Sequence, residues 1–185
     1  MRIIAGQRRG LTLNSFDDDR IRPTKDMVKE SIFNSLANLL DITTCSVCDL
    51  FAGTGSLGIE ALSRGAAAAT FVENDGSAIQ LICDNLTKAR LSDHAQVIQT
   101  DAVAWLQQRA EKSFDLILAD PPYAMRLGNF IIENSVANGY LKGAGILVIE
   151  SAPDETMVVP EHVRNLILYK EKKWGESFIR IFRFR

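Results

Sequence analysis

The sequence predicts a domain of the α/β class, in which a mostly parallel sheet is covered by helices on both faces. Three observations predict it. Short apolar runs alternate with segments of helical periodicity between residues 45 and 151, as is typical of strand–helix–strand units. A glycine-rich loop joins the first of these strands to its helix. The chain has 185 residues, which suits one domain with a substantial core.

The start of the chain is predicted to form a small β-hairpin and a linker. The stretch RIIAGQRRGLTLN alternates apolar and polar residues around Gly6 and Gly10, a hairpin pattern, and the polar stretch DDDRIRP follows. We therefore divide the chain into residues 1–22, a basic hairpin with its linker, and residues 23–185, the main domain. A helix should begin after Pro23, because Thr24 is a suitable N-cap.

The elements of the main domain are read from periodicity and turn signals. Five strands are expected in CSVCDLF, AAATFVE, AQVIQT, FDLILAD and GILVIES, and helices between them in SLGIEALSRG, SAIQLICDNLTKAR, AVAWLQQRA and residues 127–138. The last part of the chain differs, because VRNLILYKEKK and SFIRIFRFR flank the turn signal WGE. This pattern predicts an antiparallel hairpin that closes one edge of the sheet.

Charge is distributed unevenly along the chain, although its net value is only −2. Residues 1–30 carry seven Lys and Arg against five Asp and Glu, and residues 164–185 carry seven against two. An acidic body thus lies between two basic ends. Contact with a polyanion and a plain solvated surface both remain open interpretations of these ends.

Composition argues against several classes of protein. No apolar run approaches the length of a membrane span, and the start of the chain lacks the apolar stretch of a signal peptide, so we expect a cytoplasmic protein. The cysteines, Cys45, Cys48 and Cys83, are odd in number, which disfavours a disulfide framework. CSVC has neither a second cysteine pair nor a histidine cluster beside it, so we expect no metal and read these cysteines as packing residues.

The glycine loop DLFAGTGSLG predicts a site for an adenosine-bearing cofactor. Gly53, Gly55 and Gly58 fit the pattern GxGxxG between a strand and a helix, where glycines allow a tight turn and close approach of a ligand. Glu73 ends the next strand, 20 positions after Gly53. A carboxylate there can accept hydrogen bonds from both hydroxyls of a ribose. An ordinary glycine-rich loop is the alternative.

Two further acids favour S-adenosylmethionine over a dinucleotide. Asp49 ends the first strand and Asp101 follows the third. S-adenosylmethionine carries an ammonium and a sulfonium but no phosphate, so acids attract it and would repel NAD. Each acid also has a structural alternative, because either can cap the helix that follows it.

The fourth strand ends in Asp120-Pro121-Pro122-Tyr123, which predicts a site for a planar amine. Proline lacks an N–H, so this loop presents carbonyl acceptors. Asp120 and the Pro121 carbonyl can accept the two hydrogens of an exocyclic amine and aim its lone pair at a methyl group, while Tyr123 stacks on the base. Positive charge develops on that nitrogen, so fixed acceptors stabilise the transition state more than the ground state.

This motif resembles the class I S-adenosylmethionine-dependent amino-methyltransferases, whose signature is Asp or Asn, two prolines and an aromatic residue. RIIAGQRRGLTL, RPTKDMVKESIFNSL, DLFAGTGSLGIEALSRGA and FDLILADPPY are similar, in this order, to the RsmD family, and the first two stretches narrow the class to it. The resemblance covers essentially the whole chain. It implies a Rossmann-like methyltransferase domain at residues 23–185 and methylation of the N2 amine of guanine 966 in bacterial 16S rRNA.

The resemblance also implies a role for each motif: the glycines lie against the methionine part of the cofactor, Asp49 near its amine, Glu73 at the ribose and Asp101 at the adenine. The expected catalytic residues are Asp120, Pro121, Pro122 and Tyr123; the expected cofactor-binding residues are Thr24, Asp49, Phe51, Ala52, Gly53, Thr54, Gly55, Glu73, Asn74, Asp101, Ala102 and Asp120; the expected RNA-binding residues are Arg2, Arg8, Arg9, Arg20, Arg22 and Lys25.

The expected partner is 16S rRNA or a small-subunit assembly intermediate, without a membrane or a metal, and a monomer is the default state. Two other functions stay open. DNA adenine-N6 methylation uses the same four residues, but the chain has no sizeable inserted recognition domain. A non-catalytic nucleic-acid-binding module is the third interpretation, and the intact glycine loop and Asp-Pro-Pro-Tyr motif argue against it.

Overall fold

A seven-stranded sheet organises the chain in the computed structural model, which describes residues 1–16, 22–163 and 165–185, with the backbone alone for residues 22–25. The strand order is β3-β2-β1-β4-β5-β7-β6. The strands are β1 (Ser46–Leu50), β2 (Ala68–Glu73), β3 (Ala95–Gln99), β4 (Phe114–Ala119), β5 (Leu141–Ser151), β6 (Leu166–Trp174) and β7 (Ser177–Phe184), and the helices are α1 (Arg22–Leu36), α2 (Ser56–Ser63), α3 (Gly76–Ala89), α4 (Ala102–Leu106) and α5 (Gly128–Ala137).

Strand direction confirms the predicted fold class. β1 pairs in parallel with both β2 and β4, so the winding of the sheet reverses between β1 and β4. An open α/β sheet binds its ligand at such a switch point, outside the carboxyl ends of the strands. β7 is antiparallel to β5 and to β6, which is the predicted C-terminal hairpin.

Helices cover both faces of the sheet. On one face, apolar side chains of α1, α2 and α3 pack with alternate residues of the strands, such as Val47 and Leu116. On the other face, α4 and α5 pack with the intervening residues, such as Cys48 and Ile117. The strands nearest the centre are thus buried on both sides, which explains why they are almost continuously apolar in sequence.

The start of the chain forms a short hairpin, as predicted, and the hairpin is tied to α2. Arg2 and Thr12 form an antiparallel bridge. On either side of this bridge, the Ile3 N–H donates to the Leu11 carbonyl and the Leu13 N–H donates to the Met1 carbonyl, both at 2.9 Å. The buried Glu60 carboxylate accepts hydrogen bonds from the backbone N–H groups of Ile4 and Ala5, at 2.8 and 3.0 Å, which attaches the hairpin to the helix.

Two helix boundaries differ from prediction. α1 begins at Arg22, so Thr24 lies inside the helix and the N-cap assignment was wrong; Pro23 is tolerated because N–H groups of a first turn have no helical partner. α4 ends at Leu106, four residues early. Its last carbonyls accept hydrogen bonds from Asn138 and Tyr140, at 2.7 and 2.6 Å, which replaces further helical pairing. Across the described part of the chain, no helix has the length and apolar character needed to cross a membrane.

Candidate active site

Four loops meet at the carboxyl edge of the sheet. Leu50, the last residue of β1, pairs with Val72 of β2 on one side and with Ala119, the last residue of β4, on the other. The chain therefore places Phe51, Glu73 and Asp120 side by side in the next position. β3 extends the row, because Glu73 pairs with Gln99, shortly before Asp101. The structure thus brings the predicted cofactor motifs and the predicted amine motif to one edge of the sheet, at the switch point where open α/β sheets have their ligand crevice.

The glycine loop turns sharply as it leaves β1. Gly53 and Gly55 have φ of +52° and +74°, which is the left-handed region that glycine enters without strain. Phe51 has φ of +57° although it carries a side chain, a conformation that costs energy and is concentrated at functional sites. Gly58 packs closely instead, since a Cβ at that position would lie 2.4 Å from the Phe71 ring.

Glu73 holds this loop in place. Its Oε2 accepts a hydrogen bond from the Gly53 N–H at 2.7 Å, and its Oε1 accepts from the N–H groups of Asn74 and Asp75 at 2.9 and 3.0 Å. The Glu73 side chain is half-buried. A carboxylate fixed by three donors is well positioned to accept hydrogen bonds from a diol.

Asp49 lies below the loop and is 1% exposed. Its Oδ2 accepts a hydrogen bond of 2.8 Å from the Gly58 N–H, which is the capping contact foreseen as the structural alternative. Burial, together with a smaller effect of the nearby carboxylates of Asp120 and Glu73, raises the pKa of Asp49 to about 8. Among the residues that the structure describes, no Lys or Arg forms an ion pair with Asp49 or Glu73. This acidic cluster fits a cationic ligand.

Asp101 is exposed and caps α4 by accepting a hydrogen bond from the Ala104 N–H at 2.8 Å. Helix capping, which was the structural alternative for Asp101, is therefore observed. It occupies one of the two carboxylate oxygens. Ala102 is buried directly behind Asp101, whereas Asn74 is exposed at the end of β2. Ala52 is buried and Thr54 half-buried in the glycine loop. The backbone position of Thr24 lies in α1, and its side chain lies outside the described part of the structure.

The Asp-Pro-Pro-Tyr motif leaves β4 beside the glycine loop. The Asp120 N–H donates to the Leu50 carbonyl across 3.4 Å, which continues the pairing of β4 with β1. The Asp120 side chain is exposed at this edge, Pro121 is buried and Pro122 is exposed. Tyr123 begins a short 3₁₀ helix, Tyr123–Met125, and 37% of its surface is exposed.

Two residues that sequence reasoning missed hold Tyr123. Its hydroxyl donates to Glu150 Oε1 at 2.7 Å and lies 2.5 Å from Ser177 Oγ. Glu150 is next to the carboxyl end of β5, and Ser177 begins the antiparallel strand β7 at the same edge. Ligands bind outside the carboxyl ends of parallel strands. The same rule points to both residues when it is applied to the fifth strand and to the C-terminal hairpin.

The predicted RNA-binding residues are spread over the molecule. Arg2 is exposed and pairs with Asp26 at 3.2 Å, whereas Arg8 donates through Nε to the Ala89 carbonyl at 2.6 Å. Ala89 ends α3, and a helix of 14 residues spans about 20 Å, so Arg8 and the exposed Arg9 lie near the edge opposite the crevice. Arg20 lies outside the described residues, as do the side chains of Arg22 and Lys25.

Two other features lie apart from this crevice. An open depression of about 770 Å³ is lined by the end of α1, residues 37–42, Gly6 and Arg64. None of the predicted site residues lines it, so the convergence of motifs, and not concavity, defines the candidate site.

Cys45 and Cys48 are buried, and burial raises the pKa of both thiols. No group of three metal-ligating side chains occurs among the described residues.

Comparison with known proteins agrees with this architecture. The family model described as conserved hypothetical protein 95 matches residues 1–183. Ribosomal RNA small subunit methyltransferase D of Haemophilus influenzae is 36% identical over 184 residues, which cover 98% of this chain and 93% of that protein. The protein of the same name from Escherichia coli K12 is 35% identical over 182 residues, which cover 98% and 89%.

Solved structures show the same fold. The structure of yhhF from Escherichia coli has a TM-score of 0.87 and 34% identity, and covers 100% of this chain and 98% of that one. An RNA methyltransferase from Salinibacter ruber, solved with S-adenosyl-L-homocysteine, has a TM-score of 0.60, with coverage of 85% and 90%; at 16% identity it shares the fold alone. With a family model that spans residues 1–183 and relatives more than 30% identical along almost the whole chain, the protein belongs to the RsmD family.

Proposed function

We propose that this protein transfers a methyl group from S-adenosylmethionine to the exocyclic N2 amine of guanine 966 in bacterial 16S rRNA. The observation that carries the proposal is the adjacency of the Asp120–Tyr123 loop and the Gly53 loop on neighbouring strands. The names of the relatives support an rRNA substrate. The identity of the amine and of the nucleotide rests on the family resemblance.

The cofactor side of the crevice is assigned from charge. Burial first, and then the carboxylates of Asp120 and Glu73, destabilise the anion of Asp49. A cationic ligand stabilises that anion, whereas a pyrophosphate adds further repulsion. We assign the ribose hydroxyls to Glu73, the methionine ammonium to the neighbourhood of Asp49 and the adenine to Asp101 and Ala102. When bound, S-adenosylmethionine supplies an electrophilic methyl group on its sulfonium.

On the other side of the crevice, the Asp120–Tyr123 loop orients the N2 amine of the guanine for methyl transfer. Asp120 and the Pro121 carbonyl accept the two N2 hydrogens, which turns the nitrogen lone pair out of conjugation with the guanine ring. Positive charge that develops on N2 is stabilised by the Asp120 carboxylate. One N2 proton then leaves to Asp120 or to water, and the product amine is neutral. Tyr123 stacks on the guanine once the base is turned out of its helix.

The remaining assignments are part of the same proposal. The substrate is 16S rRNA or a small-subunit assembly intermediate, so we place the protein in the cytoplasm. A monomer suffices, because all the assigned residues come from one chain. Residues 23–185 form the methyltransferase domain, and residues 1–22 are assigned as a basic N-terminal element.

The test is methyl transfer to small-subunit rRNA particles from cells that lack the protein, with labelled cofactor and mapping of the modified base. Asp120→Ala should lower the rate by about 100-fold or more, in the range seen when a transition-state contact is removed. The accompanying loss of S-adenosylmethionine affinity, measured by calorimetry, should be much smaller, because Glu73 and Asp49 still hold the cofactor. Asp93→Ala, an exposed acid at the opposite edge, is the control and should have wild-type activity.

Three results contradict the proposal in different ways. Full activity of Asp120→Ala removes the role of the acid as an amine acceptor. Methylation of adenine N6 in DNA, but not of rRNA, reassigns the substrate. If the wild type transfers no methyl group to rRNA or to DNA, the protein is a non-catalytic nucleic-acid-binding module.

A further inference from the structure

We propose that the end of the β6–β7 hairpin, from Lys172 to Ser177 and called here the hairpin tip, binds RNA phosphates next to the target base. Lys170 and Arg183 extend this surface along the hairpin. The inference rests on the proposed function and adds to it the part of the protein surface that receives the RNA backbone.

Strand direction places the hairpin tip beside the candidate site. β7 is antiparallel to β5, with Phe178 opposite Ser151, so the turn at Gly175 and Glu176 lies at the carboxyl edge of the sheet. Ser177 Oγ is 2.5 Å from the hydroxyl of Tyr123, so the tip contacts the residue assigned to base stacking. β6 is three strands from β4, or roughly 15 Å at about 4.8 Å per strand.

The hairpin carries positive charge that internal acids do not neutralise. Residues 165–185 contain six Lys and Arg and two Asp and Glu. One of the two acids, Glu171, is already paired with the buried Arg180 at 2.5 Å. Lys170 and Lys172 instead donate to neutral hydroxyls, those of Ser35 and Ser31, at 2.9 and 3.4 Å. Their charges remain available to a polyanion.

Aromatic rings support two of these cations. Lys172 Nζ lies 4.3 Å from the centroid of the Trp174 ring, and the Arg183 guanidinium lies 4.8 Å from that of Tyr169. Tyr169 is 44% exposed, whereas Trp174 is half-buried. Basic side chains interleaved with exposed rings are typical of surfaces that bind single-stranded nucleic acid, where cations meet phosphates and rings stack on bases.

The part of the carboxyl edge formed by the ends of β2, β3 and β4 is unsuited to phosphates. Glu73, Asp101 and Asp120 line it, and at this edge the acids repel a polyanion. Arg8 and Arg9 lie near the opposite edge, at the end of α3. An RNA backbone that delivers a base to Tyr123 therefore meets compensating charge at the hairpin tip. Lysines on an edge strand also prevent edge-to-edge association, and the experiment below separates that role from RNA binding.

The experiment compares two double charge reversals of equal size. Lys172→Glu/Lys173→Glu alters the hairpin tip. Arg109→Glu/Lys112→Glu, the control, alters two exposed cations between α4 and β4, at the opposite edge of the sheet. Binding to small-subunit rRNA from cells that lack the protein is measured at several salt concentrations, together with kcat and KM for methyl transfer, S-adenosylmethionine affinity and oligomeric state.

The tip variant should bind rRNA at least about 10-fold more weakly, and its salt slope should fall by roughly 1.5, because each lost phosphate contact removes about 0.7 to 0.9. KM for rRNA should rise as binding weakens. S-adenosylmethionine affinity and the oligomeric state should stay as in the wild type. The control should bind rRNA several-fold more tightly than the tip variant.

The inference is overturned if the two variants lose equal affinity, or if the tip variant binds normally and only self-associates. If the wild type itself neither binds nor methylates rRNA, the proposed function fails and the inference falls with it. The wild-type measurement thus distinguishes the two failures.

Discussion

Tyr123 and Glu150 are joined by a hydrogen bond of 2.7 Å between the phenol hydroxyl and the carboxylate. Burial and the neighbouring carboxylate raise the pKa of Tyr123 well above its usual value of 10.0, so the phenol is a donor at neutral pH. The bond fixes the far end of the ring that we assign to base stacking. We therefore propose that Glu150 is a positioning residue, which acts on the substrate only through Tyr123.

This bond predicts a specific pattern in a double-mutant cycle. Tyr123→Phe and Glu150→Ala should each lower kcat/KM for rRNA about 10-fold, because a hydrogen bond to a charged group contributes about 1.5 kcal/mol. The double variant should be no worse than either single variant, since both remove the same bond. Tyr123→Ala should lose a further 10-fold or so, because stacking contributes about 1–3 kcal/mol. Additive losses in the double variant would show that Glu150 acts independently of Tyr123.

Glu73→Ala should weaken S-adenosylmethionine binding by about 10-fold or more, measured by calorimetry. The change removes the acceptor assigned to the ribose and also releases the Gly53 N–H. Asp84→Ala, an exposed acid in the third turn of α3, is the control and should bind the cofactor normally. Unchanged affinity of Glu73→Ala would rule out the ribose assignment.

Asp49 should make the stability of the protein fall as pH rises. Its pKa is raised from 3.8 to about 8, so between pH 4 and pH 8 the folded protein holds a proton that the unfolded chain has released. The free energy of unfolding should therefore decrease across this window by at most about 1.4 kcal/mol per pH unit, and level off above it. Urea unfolding of the wild type and of Asp49→Asn, compared at pH 5 and pH 8, isolates the effect.

In that comparison, the stability of the wild type relative to Asp49→Asn should be greater at pH 5 than at pH 8. The asparagine keeps an oxygen that can accept from the Gly58 N–H, so the two proteins differ mainly in the ionisable group. If the wild type and Asp49→Asn showed the same pH dependence of stability, a group other than Asp49 would be responsible for it.

Glu60→Ala should destabilise the protein by about 3–5 kcal/mol, the usual cost of leaving one member of a buried ion pair alone. Glu60 is completely buried and pairs with Arg64 at 2.7 Å and with the buried Lys29 at 3.8 Å. Desolvation already lowers the pKa of Lys29. Denaturant unfolding measures the loss, and Glu30→Ala, an exposed acid on α1, should change stability by less than about 0.5 kcal/mol.

The sequence was sufficient for those parts of the structure that depend on local pattern. Alternating apolar strands and periodic helices fix the order of elements, and parallel strands bring their carboxyl ends to one edge. This reasoning placed Gly53, Glu73 and Asp120 in one crevice, where the structure has them on neighbouring strands. The chemical roles of these residues stay predictions, to be decided by the variants above.

Contacts between distant residues explain what the sequence did not reveal. The early end of α4 depends on donors 32 and 35 residues away. The partners of Tyr123 are 27 and 54 residues away, and Arg8 finds the Ala89 carbonyl 81 residues along the chain. No local sequence pattern indicates a partner so far along the chain. Arg8 was therefore assigned to RNA from its basic neighbourhood, and the structure shows that its guanidinium contacts a backbone carbonyl of the protein.

The attachment of the first residues to Glu60 also has a consequence during synthesis. Ile4 leaves the ribosome 56 residues before the carboxylate that it contacts, or about 3 to 11 seconds at 5 to 20 residues per second. During that interval its apolar neighbours have no native surface to cover them. We therefore expect this segment to join the nascent domain late, after β1 and α2 have formed, and to depend on chaperone protection until then.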